Sequence, residues 1–393
     1  MPSLTDGADW IQAVESRVRD GHAPGMVALV ERSGQVRIHA AGCKDLASGA
    51  PMQPDTLFRI ASVSKPVTAV AALMLVDDGL LALDEDLGRW LPELADRRVL
   101  RTAAAPLADT VPAKGPVTLR GLLSQTFGLG FDYAGWSSVS SRLQALHISA
   151  FNFAGDGDEY MRRIGSLPLL SQPGERWLYH IGIDVAGILI ERVAGERLGS
   201  FMARRIFEPL GMHDSGFRLD PARERRLASL YAAQGGRYYQ IADAPRRTQA
   251  RPMDQGGSEL ISTAPDLAKF GRMLLDGGTF QGRRLLAQGL VAEMRRDHVG
   301  PQAKQRSPQF PGFWDALGWG LGLCVVQAAN HVSPHPGRFG WWGGTGTSLF
   351  MDPATDSVLV MLSQRMINDI SDSANADAFM RAALAELRSI HCN

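Results

Sequence analysis

Cysteine is scarce in this chain, and no two cysteines lie close together. Cys43, Cys324 and Cys392 form no C-x-x-C and no metal-ligand spacing. That excludes a disulfide framework and a zinc-ribbon type of site, and free thiols in a reducing compartment, the cytoplasm, are expected. Long hydrophobic runs are missing as well: no uninterrupted apolar stretch reaches the ~18 residues of a spanning helix. The start, MPSLTDGADWIQAVESRV, lacks the basic segment and apolar run of a secretory signal. Nor is there an excess of charge of one sign. Lys+Arg and Asp+Glu are both 41, so nothing in the overall balance draws nucleic acid or an anionic membrane. Lysine itself is rare. Only Lys44, Lys65, Lys114, Lys269 and Lys304 occur, and arginine supplies the rest of the positive charge.

What is present is an ordinary globular composition over 393 residues, 45% hydrophobic and 21% charged. No repeat or low-complexity tract interrupts it. Residues 8–20 carry helical spacing of Trp10, Ile11, Val14 and Val18, and 25–42 read as a hairpin around Ser33-Gly34. A helix is predicted from about Ser62 to Gly79. The middle, roughly 65–300, reads as helix and loop, with irregular segments at 101–116, 215–257 and 298–314. Strands return at 319–327, 338–344, 347–353 and 357–364, followed by a helix over about 373–389. Strands at both ends with helices between them predict an α+β fold: one antiparallel sheet built from both termini, flanked by helices, with a helical region inserted. The expected division is 1–62 with 300–393 as the sheet domain and 63–299 as a mostly helical domain, with the site between them.

Ser62-Val63-Ser64-Lys65 is an S-x-x-K. At the start of a helix, residues i and i+3 share a face, so the Lys65 ammonium comes near the Ser62 hydroxyl. The helix N-terminus adds a potential that favours a developing oxyanion, and a buried lysine can lose its proton and act as a base. The plain alternative is that Ser62 only caps a helix. None of the other four lysines has a serine three residues before it. Tyr179 precedes a second predicted helix, where its phenol could shuttle a serine proton; His180 beside it reads as incidental. Gly340-Trp341-Trp342-Gly343-Gly344-Thr345-Gly346 offers the close backbone approach that an oxyanion-hole strand requires. No G-x-S-x-G, H-E-x-x-H or phosphate loop is present. His331 and His335 are spaced i,i+4, but Pro334 and Pro336 argue against a helix and against a metal site there.

In order, FRIASVSK, VTLRGLLSQTFGLG (117–130), PGERWLYHIGIDVAGILIERVAG (173–195), IFEPLGMHDSGF (206–217), GGSELISTAPDLAKFGRML (256–274) and FGWWGGTGTSLFMDP (339–353) resemble the serine β-lactamase and penicillin-binding-protein superfamily, in particular its class C-like esterases, the family VIII carboxylesterases. The resemblance spans nearly the whole chain and implies the β-lactamase/transpeptidase-like fold. It makes Ser62 the acylated nucleophile, Lys65 the base and Tyr179 the first residue of the family's Y-x-N element. The oxyanion hole would be the backbone N–H groups of Ser62 and Gly344. The family's Lys/His-Thr-Gly motif falls on Trp341-Trp342-Gly343, or one residue later on Trp342-Gly343-Gly344.

Two departures stand out: Ile181 replaces the asparagine and tryptophan replaces the cation or imidazole. Those polar groups help hold a β-lactam, so an uncharged ester is the expected substrate, although Arg338 could restore a positive charge. Trp341, Trp342, Gly343, Phe131, Tyr133 and Trp136 are candidate substrate-binding residues, with Trp314 and Trp319 as further walls. The expected function is carboxylic ester hydrolysis through an acyl-enzyme, with no metal or organic cofactor and no nucleic-acid or membrane partner, by a monomer or homodimer. An acyltransferase, an amide hydrolase of β-lactams or D-amino-acid peptides, and a non-catalytic binding relative are the alternatives.

Overall fold

The computed structural model describes residues 9–132, 135, 137–151, 153–241, 248, 251–369 and 371–389. Its centre is an eight-stranded antiparallel sheet drawn from both ends of the chain. Helix α1 is Asp9–Arg19. Strands β1 (Gly25–Arg32), β2 (Gln35–Asp45) and β3 (Ala50–Pro51) come from the first part of the chain. Strands β4 (Leu317–Trp319), β5 (Cys324–Val326), β6 (Phe339–Gly343), β7 (Thr347–Asp352) and β8 (Ser357–Ser363) come from the last part. The order is β4-β5-β6-β7-β8-β1-β2-β3. The two ends of the chain meet where β1 pairs with β8, Met26 opposite Ser363 and Val30 opposite Leu359. The segment read as one strand over 319–327 is a hairpin instead. It turns through Gly322 at φ 78°, and Trp319 pairs with Cys324.

Side chains alternate across the sheet, and both faces are covered, so β8 is buried at every position. Met26, Ala28, Val30, Phe350 and Leu359 pack with Trp10 and Val14 of α1 and with Phe379, Met380 and Leu384 of α5 (Ala374–Ser389). Val27, Leu29, Leu349, Met351, Val358 and Val360 turn to the main core. There, α4 (Ala264–Leu275), capped by Thr263 with Pro265 in its first turn, lies on β1, β7 and β8. Gly271 permits that approach: a Cβ there would sit 2.5 Å from Val358. The remaining core is helical and centres on α2 (Ser64–Asp77) against α3 (Ile181–Ala194). Among the described residues no helix is long and apolar enough to cross a membrane.

Candidate active site

The α-helix after the S-x-x-K begins at Ser64, not at Ser62. Ser62 sits in a single 3₁₀ turn, Ala61–Val63, which Ala61 enters at φ 46°. Ile60 has already left the strand at φ −87° and ψ −1°, and Ala61 follows in the left-handed region, an uncommon conformation for a residue with a Cβ. The turn is tied to the sheet. Thr347 donates through its hydroxyl to the Ile60 carbonyl at 2.9 Å, and Thr345 donates to that of Arg59. Gly343 closes the same contact, since a Cβ would fall 2.4 Å from the Ile60 oxygen. Ser62 and the Gly343-Gly344 backbone therefore border one cavity.

Lys65 is 0% exposed. Its Nζ lies 2.9 Å from Ser62 Oγ, 2.8 Å from the Gly257 carbonyl oxygen and 3.1 Å from His180 Nδ1. Burial pulls its pKa down to about 7, with Asp184 opposing. The amine is thus available as a base near neutral pH, which an exposed lysine is not. Nζ also stands 4.5 Å from the centre of the Tyr179 ring, where the π face attracts an ammonium.

Tyr179 is held by β-like pairing with Phe131 and by the indole of Trp341, whose Nε1 donates to the phenol oxygen at 2.6 Å. Trp341 therefore does more than line an apolar wall. It places an N–H donor on the Tyr179 phenol oxygen, a contact that strengthens when that oxygen gains negative charge in passing a proton. A hydrogen bond to a charged group is worth about 1.5–3 kcal/mol. Trp341→Phe keeps the aromatic packing but not the donor. It should lower kcat on an ester by about tenfold to a hundredfold, with KM changed less. An unchanged kcat would show that the donor has no role in turnover.

His180, read as incidental, is 1% exposed and bonded on both ring nitrogens, Nδ1 to Lys65 and Nε2 to Asp184 Oδ2 at 3.1 Å. Asp184 also accepts from the Gly257 N–H at 2.8 Å, Gln255 Nε2 at 3.3 Å and the Tyr160 hydroxyl at 3.4 Å. Burial works to raise its pKa. His180, the Gly257 N–H and Lys65 outweigh that and hold it below the usual carboxylate range. Burial, then Lys65, keeps His180 below its ordinary value, so the imidazole is neutral at pH 7. A signal for this was available: His180 and Asp184 are spaced i,i+4 at the mouth of α3.

The cavity is about 190 Å³ and mostly apolar, bordered by Ser62, Tyr179, Trp177, Trp341, Trp342 and Phe313 among others. Of the expected substrate-binding residues, Trp341, Trp342 and Gly343 border it. Phe131 is not among its walls; it stacks on the His180 ring at 5.5 Å. Trp319 and Trp314 also stand back from it, both edge-on to Trp177. Tyr133 and Trp136 lie outside the described residues. Arg338 does not bring a charge to the cavity: its guanidinium is buried 5.6 Å from the Phe350 ring. Among the described residues Arg365 is the arginine that borders the cavity, and it pairs with Asp372 at 3.1 Å. Trp177, Phe310 and Phe313, which the sequence did not single out, supply much of the wall. Among the described residues no group of three or more His, Cys, Asp or Glu side chains could hold a metal ion. His331 instead pairs with Asp377 at 2.9 Å.

Residues 10–383 match the Beta-lactamase family, and the chain belongs to it. It is 32% identical to esterase EstB of Burkholderia gladioli, over 91% of this chain and 90% of that one. It is 34% identical to the lovastatin esterase of Penicillium rubens, over 80% and 81%. Among solved structures it resembles EstCE1, a hydrolase with promiscuous acyltransferase activity, at a TM-score of 0.80 and 27% identity, covering 95% of this chain and 97% of that one.

Proposed function

We propose that this chain is a serine ester hydrolase that works through an acyl-enzyme on Ser62. The observation that carries this is the 2.9 Å contact between Ser62 Oγ and a fully buried Lys65 amine. Lys65 takes the Ser62 proton as Oγ attacks the ester carbonyl carbon, and the π pair moves to the carbonyl oxygen. The Ser62 and Gly344 N–H groups receive that oxyanion. The tetrahedral intermediate then expels the alcohol, which leaves with a proton returned through Tyr179. Water attacks the acyl-enzyme by the same route, and the acid departs. An alcohol in place of water makes the reaction an acyl transfer. That second reading is favoured by the similarity to EstCE1.

The cavity is smaller than the ~300–1,000 Å³ of drug-sized ligand sites, and its lining is mostly apolar, with several aromatic rings. Small, uncharged esters fit it best. A p-nitrophenyl butyrate should be turned over with a kcat/KM about tenfold or more above that of the dodecanoate, and well above that of a chromogenic cephalosporin. Faster turnover of the cephalosporin would instead favour the amide-hydrolase alternative. Added short alcohols that yield a new ester would establish the transfer activity.

The proposal extends to the chain's setting and organisation. A cytoplasmic location agrees with free thiols at Cys43 and Cys324, and cell fractionation tests it. A monomer or homodimer is expected by light scattering. Residues 1–62 with 300–393 form one part and 63–299 the other, with α4 of the second lying on the sheet of the first. Limited proteolysis between them checks that division.

A further inference from the structure

Beyond Ser62, Lys65 and Tyr179, two fully buried titratable side chains converge on the Lys65 amine, His180 directly and Asp184 through it. A neutral amine has two N–H bonds and one lone pair. Among the described residues Lys65 Nζ has three polar neighbours at 2.8–3.1 Å: the Gly257 oxygen, Ser62 Oγ and His180 Nδ1. The carbonyl can only accept. A proton on His180 Nε2, donated to the Asp184 carboxylate, leaves Nδ1 with a lone pair that also only accepts. Both amine protons are then used, and the lone pair that remains faces the Ser62 hydroxyl. Were Nδ1 not an acceptor, one of those protons would be free to donate to Ser62 Oγ, and the amine would present the wrong side.

We propose that His180, its tautomer fixed by Asp184, is a positioning residue that takes one proton of the Lys65 amine and so aims the Lys65 lone pair at Ser62. This rests on the ester-hydrolase reading of the site. When Ser62 gives its proton to Lys65 and Oγ bonds to the carbonyl carbon, the ammonium has three N–H bonds for the same three neighbours, and His180 keeps its tautomer throughout.

The backbone is built around this ring. His180 has φ 81° and ψ −61°, and the Ile181 N–H bonds the Tyr179 carbonyl across it at 3.2 Å. That is the strained γ-turn of positive φ, which persists only where its surroundings over-determine it. Gln125 accepts the His180 N–H through its side-chain oxygen. Phe131 stacks on the ring. Gly257 lies so close that a Cβ would stand 3.1 Å from the ring and 2.9 Å from Asp184 Oδ1. The titratable groups facing His180 are Lys65 from α2, Asp184 from α3, Glu259 from the segment after Gly257, and Tyr179; Tyr160 reaches Asp184.

The test is the rate at which an activated phosphonate ester adds to Ser62, followed by intact mass from pH 6 to 9 in wild type, His180→Phe, His180→Gln and His180→Asn. Asparagine tolerates positive φ and puts an oxygen where Nδ1 stands; glutamine puts its polar end at the Nε2 place. We expect phenylalanine and glutamine to slow labelling by about 10²-fold, as a misaimed group does, with asparagine within about threefold of wild type. The acid limb should move to lower pH in His180→Phe and His180→Gln, because the ammonium has lost an acceptor, and stay in place in His180→Asn. Equal labelling by all four folded proteins overturns the proposal. So does a loss in His180→Asn as large as in His180→Gln with an unmoved acid limb, which is the signature of a merely structural histidine. Wild type that takes no label removes the ester-hydrolase reading itself. If His180→Phe fails to fold, the asparagine and glutamine pair still decides.

Discussion

Lys65→Arg is expected to lower ester kcat/KM by about 10⁴-fold, the upper range for loss of a general base. Guanidinium stays protonated in a protein, so it cannot take the Ser62 proton, and its flat fork does not match three acceptors arranged around one nitrogen. Because Lys65 is 0% exposed, the arginine also brings a charge that cannot be neutralised by losing a proton. Lys65→Met is therefore the paired variant: it keeps the stem, removes the charge and should fold while being equally inactive. In the wild type, kcat/KM should fall by about tenfold per pH unit below the Lys65 pKa and level off above it, which places the limb near 7. Stability carries the same signature. The folded value lies below the ordinary 10.5, so between about 7 and 10.5 the unfolded chain binds more protons, and this group makes stability rise with pH across that window. Lys65→Met should remove that part of the slope in denaturant titrations run from pH 7 to 10. A Lys65→Arg enzyme retaining a tenth of wild-type kcat/KM would mean that the proton goes elsewhere.

Ser62→Ala should abolish turnover, by about 10⁴-fold or more, since removing a nucleophile leaves only binding and the oxyanion hole. The fold should not notice. Ser62 is half-buried in its short turn, and the threonine bonds that hold that turn come from Thr345 and Thr347 to the backbone of Arg59 and Ile60. A stability change within about 1 kcal/mol is expected. Parallel assays of ester turnover and urea unfolding separate the two effects. Loss of activity accompanied by unfolding would make Ser62 a structural residue.

Ser62 and Lys65 were legible because the S-x-x-K spacing alone brings two side chains to one side of a turn, and because the hydrophobic run of α2 marks where the helix lies. The 3₁₀ turn was not legible, since it depends on the φ of Ala61, an alanine with no local reason to leave ordinary geometry. The sheet was legible from strands at both ends of the chain, but the β4–β5 hairpin was hidden inside what looks like a continuous strand. His180 was passed over because a histidine after a tyrosine has no signature of its own. Its chemistry comes from Lys65, 115 residues away, and only the i,i+4 spacing to Asp184 hinted at it. Trp341 read as apolar because its indole N–H finds its acceptor, Tyr179, only in three dimensions. The cavity walls were the least legible. Phe310 and Phe313 lie in an irregular segment whose path no periodicity sets, and Arg338 packs by Phe350 while Arg365, which no motif marks, borders the cavity.

The central claim is that Ser62 is an activated nucleophile, and the most direct test is the intact mass of wild type and Ser62→Ala after exposure to an activated phosphonate ester. A single adduct on wild type, mapped to the peptide containing Ser62 and missing from the mutant, is the predicted result. An unmodified wild type, folded and under conditions where Lys65 is neutral, would contradict the account, as would an adduct that persists in Ser62→Ala.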